Sequence, residues 1–344
     1  MTDSIISPLL TIAIPTWNRA AYLRLNLEQL ASQLVTLEHL IEILISDNAS
    51  ADESPNVVAS FLQKRLQLRY IRNAENIGSD CNIAQCFNEA RGQYVLILGD
   101  DDVLVDGALS WLVECLSKQE YGVVCMRPYG YENDFRKEYP GGLGGEKIFK
   151  DAGAFLAEIG PLVTLISACA INKKLLNKAD AREFCGGSLV QVHLVIRAAL
   201  AAKQSIFVNR YLLACKRNNS GGYDFFRVFV EEFWRILDQY RSFGLSSSAI
   251  DALESRMLLG YYPFYLFRQR MTQASDNENV YVMLKTRFGR HCLFRVLLAP
   301  ILRLPRSLGI AWGAGATIFG RIATGDLRRG VMFAWNRLVQ MVRK

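Results

Sequence analysis

No two of the eight cysteines in this 344-residue chain stand in a C-x-x-C pair. Without that spacing a structural zinc site is not expected. Cysteines inside apolar runs, as in Val123-Val124-Cys125, read as reduced, buried thiols of a cytosolic protein. The amino terminus, Met1-Thr2-Asp3-Ser4, lacks the positive region that opens a secretory signal, and its first apolar stretch ends at a proline and polar residues, so a cytoplasmic location is expected. A bilayer-spanning run is missing too: the uncharged segment 307–320 has 14 residues, against the about 20 apolar residues that a spanning helix needs. Acid is nearly absent from the end of the chain. Residues 285–344 hold twelve Lys or Arg and the single Asp326, a net +11 within a total of +7, which leaves about −4 for residues 1–284. Those basic residues alternate with aliphatic ones instead of gathering on an aromatic platform, which argues against nucleic acid as a partner.

What is present is a core-forming composition, 51% hydrophobic and 21% charged, in a chain long enough for one large domain or two modest ones. Residues 94–98, Tyr94-Val95-Leu96-Ile97-Leu98, suit a strand buried on both faces, and the run breaks at Gly99-Asp100-Asp101-Asp102. Three adjacent carboxylates at a strand end repel one another unless a divalent metal, free or bound to diphosphate, neutralises them, and all-oxygen ligation favours Mg2+ or Mn2+ over zinc. A second reading stays open, a strand-to-helix turn in which one Asp caps the next helix and the others are solvated. Upstream, strands are expected at 9–14, 41–45 and 68–72. Each is followed by a polar cluster and a helix: the first carries Tyr22, Leu23, Leu27 and Leu30, the second covers 53–65, and the third ends near residue 90. This alternation predicts an α/β fold with a mostly parallel sheet and helices on both faces. Ligands then bind outside the carboxyl ends of the strands, where the polar clusters line one crevice.

Four segments, Ile14-Pro15-Thr16-Trp17-Asn18-Arg19, Ser46-Asp47-Asn48-Ala49-Ser50-Ala51-Asp52, Asn76-Ile77-Gly78, and Ala90-Arg91-Gly92-Gln93-Tyr94 through Gly99-Asp100-Asp101-Asp102, resemble the successive signatures of family 2 glycosyltransferases with the GT-A fold. The Gly-Asp-Asp-Asp form and the Asn after Asp47 are similar to bacterial O-antigen transferases of the abequosyltransferase type. The resemblance implies a nucleoside diphosphate sugar donor and Mn2+ or Mg2+ as cofactor. It places Thr16 and Trp17 at the base and ribose, with packing of the first helix on the sheet as the alternative for Trp17. Asp47 and Asn48 fall where the family commonly has two aspartates. The Asn48 carboxamide matches the N3 acceptor and amino donor of cytosine, which points to a CDP-sugar; shaping of the turn is the other reading. The family's Asp-x-Asp-Asp has Gly99 at its first position here. Asp101 then matches the main metal ligand, Asp102 is a second candidate ligand, and Asp100 is a donor contact.

Downstream, Cys185-Gly186-Gly187-Ser188-Leu189-Val190-Gln191-Val192-His193-Leu194-Val195-Ile196-Arg197 stands where the family has a Glu-Asp pair, an apolar helix and an Arg, the Asp being the general base. Matching Arg197 puts Gln191 at the base position. Glutamine cannot take a proton. His193 is open to three readings: base, metal ligand or ordinary core histidine. Arg217, within Lys216-Arg217-Asn218-Asn219-Ser220-Gly221-Gly222, suits a diphosphate contact or a solvated turn. Residues 129–150, with their glycine cluster, read as a lid over the acceptor or a surface loop, and 166–171 as a strand. The expected organisation is a GT-A domain over 1–222, a helical region over 223–285 with Phe226, Phe229, Phe233, Trp234 and Tyr240 at helical spacing, and a basic amphipathic tail over 286–344. That tail suits an anionic membrane interface or a helical hairpin with a basic outer face. The expected function is transfer of a hexosyl or deoxyhexosyl group to a saccharide on polyprenyl diphosphate at the inner face of the cytoplasmic membrane, as in O-antigen and lipopolysaccharide assembly. Two rivals remain: a soluble transferase acting on protein or free glycan, and an inactive nucleotide-sugar-binding scaffold, prompted by Gly99 and Gln191.

Overall fold

The computed structural model describes residues 7–64, 66–141, 144–176, 179–217, 222, 224–272 and 277–325. The chain divides into two compact units, Met1–Tyr223 and Asp224–Lys344.

In the first unit β1 (Leu10–Thr16), β2 (Ile41–Asp47), β3 (Leu68–Arg72) and β4 (Tyr94–Ile97) alternate with α1 (Ala20–Leu34), α2 (Ser54–Gln63) and α3 (Ser79–Glu89). β1 pairs in parallel with β2 and β4, and β2 with β3, so all four carboxyl ends lie on one edge. Then follow β5 (Val103–Leu104), α4 (Ala108–Lys118), β6 (Val123–Tyr131), β7 (Glu146–Phe149), α5 (Ala152–Ile159), β8 (Cys169–Asn172), α6 (Val190–Ala201) and β9 (Ser205–Lys216). β8 lies antiparallel between β4 and β6, and β9 runs parallel to β6. β5 and β7 add antiparallel pairs to β9, giving the order β3-β2-β1-β4-β8-β6-β9-β5 with β7 on β9. The sheet is thus parallel in its first half and mixed in its second. Two antiparallel steps restore direction, so β6 and β9 point the same way as β1. Their carboxyl ends, Tyr131 and Lys216, and the amino end of β8 therefore share the edge that carries Thr16 and Asp47.

Burial explains why these strands read as unbroken apolar runs. Leu10, Ile12, Ile14, Ile41, Ile43, Ile45 and Leu96 form one cluster with Leu23, Leu27 and Leu30 of α1, Val57 and Phe61 of α2, and Leu109 and Leu112 of α4. The alternate residues Ala13, Leu44, Val95 and Ile97 are equally buried, on the face where α3 and α6 meet the strands. Each large aliphatic side chain so buried contributes about 1.5–3 kcal/mol. Gly92 lets the turn before β4 approach β1: a Cβ there would lie 2.5 Å from the Thr11 nitrogen.

The capping reading of Asp100–Asp102 fails, because β5 follows them and Gly107 precedes α4. The stretch 129–150 is not one loop either. β6 reaches Tyr131, Glu138 accepts hydrogen bonds from the amides of Glu132, Asn133 and Asp134 in a tight turn, and β7 starts at Glu146. Gly142 and Leu143 lie outside the described residues. The strand expected over 166–171 begins at Cys169, after a turn, Ile166–Ala168, that carries Ser167.

The second unit is helical: α7 (Phe233–Gln239), α8 (Ser247–Gly260), α9 (Tyr262–Thr272), α10 (Asn277–Phe288), α11 (Ala299–Arg303) and α12 (Arg306–Ala323). The aromatics expected at helical spacing, Phe226, Phe229, Phe233, Trp234 and Tyr240, are buried. The Trp234 indole donates to the Tyr262 hydroxyl at 2.8 Å, which donates to the Phe229 carbonyl at 2.7 Å. Arg287 pairs with Asp238 and Glu254, each at 2.5 Å. α12 packs through Gly309, Gly313, Ala316 and Gly320, its buried residues. A Cβ on Gly320 would fall 1.7 Å from the Leu259 carbonyl oxygen. The expected tail beyond Gly325 lies outside the described residues, and no described helix is long and apolar enough to cross a membrane.

Candidate active site

The edge shared by the carboxyl ends of β1, β2, β4, β6 and β9 gathers the polar side chains. Thr16, the last residue of β1, donates from Oγ1 to Asp100 Oδ2 at 2.8 Å. Arg19 Nη1 lies 3.3 Å from both Asp100 Oδ1 and Asp101 Oδ2, bridging the two carboxylates. Asn26 of α1 donates to the carbonyls of Gly99 and Asp102 at 3.1 and 2.8 Å, fixing the bend from behind. The Gly99 amide donates to Ser167 Oγ at 2.9 Å, and Ser167 donates to Asp102 Oδ2 at 2.5 Å. Asp102 also takes hydrogen bonds from the Cys215 thiol and the Lys216 amide. Tyr131 donates to the Asp101 carbonyl at 3.2 Å.

The three carboxylates therefore differ. Asp100 and Asp102 are buried, whereas the Asp101 side chain is 17% exposed. Burial pushes the Asp100 carboxyl up to about 6 against the pull of Arg19 and Thr16. Burial, with Asp101 adding to it, pushes Asp102 up to about 7 against the Ser167 hydrogen bond. Among the described residues no three His, Cys, Asp or Glu side chains converge to hold a metal on their own. The donor set still fits a hard cation shared with a diphosphate, which needs only one or two protein carboxylates. Asp101 is the carboxylate turned outward, and Asp102 is already engaged by three donors.

β2 ends in a second cluster. Asp47 is fully buried; its Oδ1 accepts from the Ser50 amide at 2.8 Å and its Oδ2 from the Tyr70 hydroxyl at 2.6 Å, with Arg72 Nε at 3.7 Å. Asn48, 3% exposed, donates from Nδ2 to Asn76 Oδ1 at 2.7 Å and to the Gly78 carbonyl at 3.2 Å, and accepts at Oδ1 from Asn73 Nδ2 at 3.1 Å and the Ile77 amide at 2.9 Å. A carboxamide has two N–H donors and two lone pairs. All are used, so in this conformation Asn48 shapes the turn and presents no free edge to a base. Asn18, at φ 53°, donates its amide to Ser50 and accepts from the Ala51 amide, locking the β1 and β2 turns together. Trp17, beside Asn18, is 50% exposed.

The base-position residues sit on α6, which starts at the site edge and ends three residues before β9 begins on the opposite one. Gln191 is buried, donates to the Thr164 carbonyl at 2.6 Å, and leaves Oε1 buried without a hydrogen-bond partner. His193 lies flat on Phe184, ring centres 4.4 Å apart at 8°, and Arg197 covers the same ring at 5.3 Å. The Phe184 ring thus covers one face of the imidazole. Arg217 donates its amide to the Tyr131 carbonyl at 2.9 Å, which sets it at the shared edge; residues 218–221 lie outside the described residues.

Sequence reasoning missed Arg19, Ser167, Asn26 and Tyr131 as site residues. Arg19 lies at the end of the Ile14–Arg19 segment, and its charge beside an acidic bend is the signal that could have found it. Ser167 lies in an unremarkable apolar stretch, and only the antiparallel insertion of β8 brings it to Asp102.

An α/β sheet with an acidic bend at its central carboxyl edge and a cluster of polar side chains beside it has the ligand-binding edge of an open α/β fold. Residues 11–179 match the family model described as glycosyl transferase family 2. The chain carries a family 2 glycosyltransferase domain with the GT-A fold. One relative, abequosyltransferase RfbV of Salmonella typhimurium, is 34% identical over 123 residues, 35% of this chain and 36% of that protein. Another, the GalNAc(5)-diNAcBac-PP-undecaprenol beta-1,3-glucosyltransferase of Campylobacter jejuni, is 32% identical over 108 residues, 31% of this chain and 34% of that one. The matched segment spans about a third of the length of these relatives. Among solved structures, S. aureus TarS 1–349 with UDP-GlcNAc superposes with a TM-score of 0.64 at 16% identity over 91% of this chain and 92% of that chain. Mannosyltransferase PcManGT of Pyrobaculum calidifontis with GDP-Man and Mn2+ gives 0.52 at 18%, over 92% and 87%.

Proposed function

We propose that the protein transfers a sugar from a nucleoside diphosphate sugar to a saccharide carried on a polyprenyl diphosphate, at the inner face of the cytoplasmic membrane. The observation that carries this reading is the split among the three carboxylates: Asp100 and Asp102 are fixed from behind, and Asp101 faces outward beside Arg19. Asp101 would hold Mn2+ or Mg2+ shared with the donor diphosphate, and the cation would supply charge stabilisation for the leaving nucleoside diphosphate. Thr16 and Asp100 keep the β1 and β4 ends in register, Trp17 offers its exposed face to the base, and Arg217 adds a positive charge near the diphosphate. Asp47 and Asn48 hold the crevice wall. The argument for a cytidine donor rested on a free Asn48 carboxamide, so the proposal stops at a nucleoside diphosphate sugar. The name of the Campylobacter relative, which acts on a saccharide on PP-undecaprenol, supports a lipid-linked acceptor.

The acceptor's base is not placed on Gln191, whose amide cannot accept a proton, and the stack on Phe184 leaves the role of His193 unassigned. That gap favours one second reading, a nucleotide-sugar-binding scaffold without transfer. The test is thermal shift of the full chain with CDP, UDP, GDP and dTDP, each with Mn2+ or EDTA, followed by donor turnover with a polyprenyl-diphosphate saccharide. A Mn2+-dependent shift that Asp101→Asn abolishes, with turnover, supports the transferase. The same shift without turnover favours the scaffold, and no nucleotide shift at all sinks both.

A further inference from the structure

α12 is arranged inside out. Its buried face is the row Gly309, Gly313, Ala316 and Gly320, and five of its six large apolar residues are exposed: Leu308 56%, Trp312 44%, Ile318 55%, Phe319 52% and Ile322 56%. At 3.6 residues per turn those five side chains fall within an arc of about 120°, and the glycine row is centred about 120° from the middle of that arc. The arrangement has a packing cause. The glycines let α12 lie against α8 and α9 at backbone distance, where a Cβ on Gly313 would meet the Phe267 Cβ at 3.1 Å and one on Gly320 would meet the Leu259 carbonyl. Bulk cannot enter that seam, so it goes outward.

Val296, 57% exposed, extends the patch, since the Trp312 indole donates to the Val296 carbonyl at 3.2 Å. Exposed Arg290 and Arg295 flank that end, and α12 itself carries no Asp or Glu. Contiguous apolar surface of this kind needs an occupant. Basic flanks and the +11 balance of residues 285–344 select an anionic one. We propose that the Leu308–Trp312–Ile318–Phe319–Ile322 face of α12 lies in the interface of an anionic lipid bilayer, parallel to its plane, with Trp312 at headgroup level and Arg290 and Arg295 on the phosphates. This deepens the membrane placement proposed above by naming its surface, and it does not depend on the catalytic reading.

The experiment is co-sedimentation of the full-length protein with phosphatidylcholine vesicles, with and without phosphatidylglycerol, for the native chain, W312S/F319S, a second variant L308S/I322S, and Val35→Ser as a control on an exposed residue of the first unit. The native chain is expected to bind the anionic vesicles, less so in high salt. Each double variant is expected to bind at least about tenfold more weakly at unchanged Tm, because two large half-exposed side chains lose their burial in lipid. Three results would overturn the proposal: equal binding by native and variant chains; a fall in Tm with binding unchanged, meaning that residues of this chain cover the face; or a native dimer that the variants dissociate, meaning that a second copy does. The Mn2+-dependent nucleotide shift is expected to survive in both double variants, so failure here is distinct from failure of the transferase reading.

Discussion

Replacing Asn48 with alanine separates the two roles this residue could have. Its carboxamide makes four hydrogen bonds to the 73–78 segment at 2.7, 2.9, 3.1 and 3.2 Å, and it is 3% exposed. A net hydrogen bond contributes about 0.5–1.5 kcal/mol, and the lower half of that range applies where the partners, such as Asn76 and Ile77, regain water on release. Four bonds at that discount amount to about 2–4 kcal/mol, or about 4–16 °C in Tm for a domain of this size. Asn48→Asp is expected to cost at least as much: both donated bonds are lost, and a second carboxylate is buried beside fully buried Asp47. The assay is urea and thermal unfolding, with the four nucleoside diphosphates run in parallel on each variant. If Asn48 is the wall of the crevice, Tm falls and affinity drops for all four nucleotides together. A Tm within about 1 °C of the native chain, with binding lost for one base only, would refute the reasoning and restore Asn48 as the base reader.

Other substitutions reach other parts of the argument. Trp17→Ala is expected to leave stability within about 0.5 kcal/mol, because the ring is half exposed, while weakening nucleotide affinity about tenfold through lost stacking; equal affinity by calorimetry would remove Trp17 from the site. Gly320→Ala is expected to destabilise the second unit by about 3 kcal/mol or more, since its Cβ has no room against Leu259, and an unshifted unfolding curve would contradict the glycine seam. Thiol reactivity follows burial. Cys292 is exposed, whereas burial, with Glu146 adding to it, pushes the Cys115 thiol up to about 11, and burial beside the Cys81 thiol pushes Cys185 up to about 12. The thiolate is the reacting form, so at pH 8 exposed Cys292 is expected to react faster than Cys115 and Cys185, a signal lost in Cys292→Ser, and those two gain reactivity only as pH climbs toward these values. Rapid alkylation of Cys115 at pH 8, seen by mass spectrometry, would contradict its burial.

The legible half of the fold is the half governed by local pattern. β3 occupies the expected residues 68–72, and β1, β2 and β4 extend the expected runs by a residue or two or stop one short, because strands buried on both faces write themselves as apolar stretches. The second half was not legible, since β8 has four residues and its pairing with β4 and β6 is set by residues more than forty positions away. The acidic bend announced itself by charge. What its three carboxylates do separately depended on Thr16, Arg19, Ser167 and Cys215, contacts that no spacing encodes. Asn48 shows the opposite difficulty: its identity was visible, but the competition for its hydrogen bonds came from a loop 25 to 30 positions downstream.

β4 bonds to β1 on one side and to β8 on the other, where Tyr94, Val95 and Leu96 face Asn172, Ile171 and Ala170. A chain synthesised only through Asp102 thus possesses every recognisable signature and yet ends in a sheet whose apolar border strand has no neighbour. Such a border invites pairing with another molecule. Residues 103–216 must follow before β8 shields that border and before Ser167, Cys215 and Lys216 reach Asp102. A period of aggregation risk during biosynthesis therefore opens when the motif-bearing segment is finished, and fragments trimmed to the motifs are expected to be insoluble.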